Sequence, residues 1–147
     1  MSWFNYYGLA IMAVIMVPNI LFAATHKEGF ANACQNKTVE ILEQVGRYGC
    51  FALMIFNIPH AGAHFWFEGA LIVYLTVNGA LCLAYVFFWW LCWSRKGRLR
   101  ALSLSILPSA VFLFCGIMLA YIPLLIFAVL FAVNHILLSY QNAVAEL

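Results

Sequence analysis

The sequence predicts an all-α polytopic membrane protein, a bundle of five transmembrane helices, and three observations carry that expectation. Charged residues make up 8% of the 147 residues and hydrophobic residues 67%, whereas a soluble domain carries about 25% charge and needs it to coat its surface. Apolar runs long enough to cross ~30 Å of hydrocarbon recur along the whole chain. They are unbroken rather than alternating, which excludes a membrane β-barrel. Finally, the basic residues fall in alternate connections between those runs, as a chain that crosses back and forth requires.

The first span is read at 3–24, with Pro18 removing one helical hydrogen bond and Asn19 beside it. No basic segment precedes it, so it reads as a retained span rather than a signal peptide. A polar connection, 25–37, follows. Thr38 is the expected N-cap of the second span, 39–58, where Glu40 in the first turn suits the helix dipole. The third span, 69–93, is long enough to tilt, and SRKGRLR (94–100) is a tight basic loop. From 101 to 140 the apolar sequence runs for about two span lengths. Pro123, suited to the first turn of a helix, divides it into spans at 101–120 and 123–141. A single transmembrane domain covering 1–147 is expected.

Lys27 and Lys37 lie in the first connection, and Arg95, Lys96, Arg98 and Arg100 in the third, while the second and fourth hold no Lys or Arg. The positive-inside rule then places the N-terminus outside and the C-terminus in the cytoplasm of a multi-pass cell-membrane protein. Trp3, Tyr6, Tyr7, Phe65, Trp66 and Tyr121 are expected at the outer interface, and Trp89, Trp90, Trp93 and Tyr140 at the inner one. The five cysteines form no CxxC pair and no disulfide framework.

The chemistry concentrates in the second span. Glu40, Glu43, Arg47, Cys50, Met54 and Asn57 recur three or four apart and share one helical face. Glu43 and Arg47 are an i,i+4 pair in the favourable order. An ion inside a span costs several kcal/mol without a partner or water, so this face demands one or the other. The expected ligand or transport path is Glu43, Arg47 and Asn57, joined by Asn78 of the third span and His135 of the fifth.

His60, His64 and Glu68 are four apart and would offer three ligands to a metal on one helical face, although Pro59 and Gly62 interrupt that helix. With the second span across the membrane, this cluster lies outside and the Glu40–Arg47 group lies in the cytoplasmic half. The two sets cannot share one small ligand.

Ala101, Ser105, Ser109, Gly116 and Ala120 form a small-residue seam on the fourth span, for packing within the bundle, with a second copy, or with a partner membrane subunit. The Arg95–Arg100 loop is expected to meet anionic lipid headgroups of the bilayer. It is too small a basic surface for nucleic acid. No phosphate-binding glycine loop, GxSxG elbow or HExxH motif is present, and no cofactor is expected.

The function these features favour is small-solute transport, permeation or small-ligand binding around the polar face of span two. An accessory or scaffold subunit of a larger complex is the alternative. A membrane enzyme using His60, His64 and Glu68 is third, and the balance is against an enzyme.

Overall fold

A computed structural model describes residues 3–26, 36–59, 61–94 and 97–145. They form five helices: α1 (Tyr6–Thr25), α2 (Lys37–Ile55), α3 (Ala70–Cys92), α4 (Arg98–Met118) and α5 (Ile122–Ala145). Four of these, α1, α3, α4 and α5, are long and apolar enough to cross a membrane. The exception, α2, carries Lys37, Glu40, Glu43 and Arg47 within its 19 residues.

Local chemistry sets the helix ends. The cap of α2 is Asn36 rather than Thr38; its Oδ1 accepts the Thr38 N–H at 3.1 Å, so the helix begins two residues earlier than expected. At its far end α2 stops at Ile55, four residues before Pro59. There the chain turns extended, and Phe56 forms an antiparallel bridge with Phe4. Between α4 and α5 the chain turns at Leu119–Tyr121, through an Ala120 with φ of 45°. The turn is held by the Tyr121 N–H donating to Gly116 O at 2.9 Å.

The helices pack as a ring in the order α1, α2, α5, α4, α3 and back to α1. Successive helices run antiparallel, but a ring of five must contain one parallel contact, and here it is α1 against α3. Asn19 meets Tyr85 and Phe22 meets Trp89, the positions rising together. One end of the bundle gathers the C-termini of α1, α3 and α5 with the N-termini of α2 and α4. The opposite end is closed. The Asn5 N–H donates to Ile55 O and the Asn57 N–H to Trp3 O, each at 2.8 Å. Residues 56–59 and 61–69 lie across this end, with the Ile58 N–H donating to the Tyr121 hydroxyl at 2.9 Å and the His64 N–H to Leu119 O at 2.9 Å. Trp3, Tyr6 and Trp66 project from it well exposed, whereas at the other end Trp89 turns inward at 3% exposure.

The small-residue seam of α4 packs inside the chain. Ser105, Ser109 and Gly116 are buried, and a Cβ on Gly116 would meet Leu125 of α5 at 2.8 Å. A second close approach, α2 against α5, was not read from the sequence. A Cβ on Gly46 would lie 2.7 Å from the Phe131 backbone nitrogen, and one on Gly49 would run into the Phe127 ring.

Gly46→Ala therefore pushes α2 away from α5 and is expected to destabilise the protein by about 1–3 kcal/mol. Gly79→Ala on α3, where an added Cβ meets nothing within 4 Å, serves as the control. It is expected to be neutral or to stabilise by about 1 kcal/mol. Thermal unfolding of the two variants in detergent measures the contrast.

Candidate functional site

Where α2 and α5 close together, the polar face of α2 turns into the bundle. Glu43, Cys50, Met54 and Asn57 are all buried, and Glu40 and Arg47 are half-buried. The Glu43 side chain is fully buried. Its Oε1 accepts two hydrogen bonds, from the Arg47 guanidinium one turn along α2 and from His135 Nδ1 of α5 at 2.8 Å. Its Oε2 has no partner among the described residues. The bond to Glu43 sets the histidine tautomer: Nδ1 carries the proton that Glu43 accepts, and Nε2 is left for whatever lies beyond the ring. Stacking on Phe131, with centroids 4.5 Å apart, holds the ring in that plane.

Beyond the ring is a half-open cavity of about 630 Å³ at the end opposite the closed one, lined by residues from all five helices. Its size falls within the ~300–1,000 Å³ of small-molecule pockets. Arg47 and His135 lie on its wall, with Glu43 behind both and absent from the lining. From α4 the lining includes Arg100, whose guanidinium sits 4.3 Å from the Phe22 ring centroid and 6.0 Å from that of Trp89. Asn19 and Tyr85 form a further polar contact of the lining: the Asn19 amide donates to the Tyr85 hydroxyl and to Ile15 O, each at 2.7 Å. Gln44, Ser139 and Asn142 add polar groups near the mouth, and Met16, Phe51, Leu104 and Phe112 make apolar walls. The site is thus amphipathic, with the cationic side chains of Arg47 and Arg100 among apolar and aromatic walls.

Of the residues singled out from the sequence, Glu43, Arg47 and His135 come together here. Asn57 and Asn78 do not line the cavity. Asn57 is buried at the closed end, next to the pairing with Trp3. Asn78 ties α3 to α4, its amide donating to Tyr74 O at 2.8 Å while its Oδ1 accepts from Cys115 Sγ at 3.4 Å. His64 turns its Nδ1 back to Gly62 O, and Glu68 is exposed. Among the described residues no cluster of three metal-ligating side chains forms. His60 of that set, and Arg95 and Lys96 of the basic loop, lie outside the described residues.

Asn19, Tyr85 and Arg100 line the site although the sequence does not assign them to it. Asn19 carried a signal, an amide inside an apolar run directly after Pro18. Arg100 carried none that separated it from its basic neighbours. Comparison with protein-family models, with curated proteins and with solved structures finds no match for this chain.

Arg47→Met leaves the buried Glu43 carboxylate with His135 alone. It is expected to cost about 3 kcal/mol. Removing both charges in Glu43→Leu/Arg47→Met is expected to recover most of the stability. Unfolding in detergent checks both; a double variant no more stable than Arg47→Met contradicts the arrangement.

Proposed function

We propose that the protein binds a small solute in this cavity and moves it across the cell membrane, with Glu43, Arg47 and His135 forming the binding set. In this reading α2 is the fifth span, the N-terminus is outside, and the cavity opens to the cytoplasm. One observation carries the reading: a ligand-sized cavity whose wall presents Arg47 and His135, both anchored by a carboxylate buried behind them. A purely structural ion pair has no need of a cavity beside it. The orientation is supported by the distribution of Lys and Arg among the connections. Asn57 and Asn78, in the closed half, are the polar groups that a through-path would pass when the closed end opens.

Ser139→Cys in a Cys34→Ser background tests the access side, since Ser139 lines the cavity and the four described cysteines are buried. A membrane-impermeant maleimide is expected to label it in inside-out vesicles and not in right-side-out ones. Val133→Cys, on the exposed face of α5, should stay unlabelled in both. Labelling of Ser139→Cys from the outside alone overturns the orientation. Swelling of proteoliposomes in glycerol, betaine and sodium benzoate tests transport. Glu43→Gln and Arg47→Gln are expected to slow swelling in at least one of these solutes, and rates equal to wild type in all three rule transport out.

A further inference from the structure

Resting on that reading, we propose that the solute is a monocarboxylate with an apolar body, and that it binds together with one proton taken up at Nε2 of His135. The lining supplies both halves of the recognition. Met16, Phe51, Leu104 and Phe112 offer apolar and aromatic walls, and Arg47 and Arg100 bring guanidinium side chains to the same lining. Guanidinium groups recognise carboxylates through paired N–H donors. Arg100 is steadied over Phe22 and Arg47 is steadied by Glu43, so neither must be ordered when the anion arrives.

The proton follows from the charges that face His135. From α2 these are Glu40, Glu43 and Arg47, with the Tyr48 hydroxyl; from α4, Arg100; from α3, the Tyr85 hydroxyl; α1 brings only the neutral Asn19. With His135 neutral, the two glutamates balance the two arginines, and an entering carboxylate leaves one uncompensated negative charge in a largely apolar site. A proton from bulk water on Nε2 removes that excess. His135 is placed to accept it, because Nδ1 already donates to Glu43 and the ring lines the cavity. Glu43 then faces two cations, Arg47 and the protonated ring. Binding of the anion and uptake of the proton reinforce each other by linkage.

The test uses Ser139→Cys in the Cys34→Ser background and reads the rate of maleimide labelling against phenylacetate, phenethyl alcohol and phenethylamine. These three probes share a ring and differ in charge. Phenylacetate is expected to protect best and phenethylamine least. The half-protecting concentration of phenylacetate should rise with pH, by up to about tenfold per pH unit for one linked proton. Oleate preloaded in the bilayer forms a second arm; protection by either anion supports the proposal and tells whether water or membrane supplies it. Calorimetry of phenylacetate binding to the wild-type protein in two buffers of different ionisation enthalpy should show uptake approaching one proton. In His135→Gln the pH slope should vanish. Should that variant fail to fold, the wild-type slope and proton count decide alone. PH-independent protection by phenylacetate, or protection by phenethylamine in preference to it, overturns the proposal while leaving a solute cavity standing. A Ser139→Cys thiol that no maleimide reaches, in membranes or detergent, overturns the cavity reading and this proposal with it.

Discussion

The carboxylate of Glu43, sealed between α2 and α5, sets the terms for the structure around it. A charge held out of water costs several kcal/mol unless it is paired and hydrogen-bonded, and α2 alone can supply only Arg47, one turn away. The second partner comes from α5, 92 residues along the chain. Reaching it requires the two helices to approach more closely than ordinary side chains permit. Gly46 and Gly49 make that approach, because Phe131 and Phe127 occupy the space a Cβ would need. Each bond to the carboxylate contributes about 1.5–3 kcal/mol, so the site and the α2–α5 interface stabilise one another.

The ring then explains where open volume remains. At the closed end the Trp3–Asn57 pairing and residues 56–59 and 61–69 draw the helices together. At the other end the space is bordered by Arg47, Arg100, His135 and aromatic rings. Close packing on one side and a half-open cavity on the other give the two ends different roles. The helices themselves look alike in composition: four carry the same long apolar signal, and only the placement of a few polar groups separates wall from lipid-facing surface.

Much of this was legible in the sequence, and the reasons are physical. Long apolar runs and their punctuation located the five helices to within a few residues, because span length and turn chemistry act locally. The inward face of α2 was readable from the spacing of Glu43, Arg47, Cys50, Met54 and Asn57, since a polar residue in such a helix has few places to go. Glu43 and His135 were each singled out because a polar group inside an apolar run is costly, but their direct hydrogen bond was not. Nothing local says that α5 lies beside α2. For the same reason Gly46 and Gly49 passed unnoticed while the seam of α4 stood out, and Arg100 was read with its loop rather than with the cavity. Asn57 and Asn78 shared the signal of His135 and serve helix ends and helix contacts instead. Polarity inside a span predicts that a group faces protein, not which protein surface it faces.

The central claim is that Glu43 accepts a hydrogen bond from His135 Nδ1 and leaves Nε2 to the cavity. Nitrogen NMR of the protein labelled at its histidine rings, in bilayers at about pH 8.5, reads that arrangement directly, with His135 assigned through His135→Gln. The expected spectrum shows His135 protonated at Nδ1 and bare at Nε2, and Glu43→Gln shifts the Nδ1 resonance. A His135 ring protonated at Nε2 and bare at Nδ1, unmoved by Glu43→Gln, would contradict it.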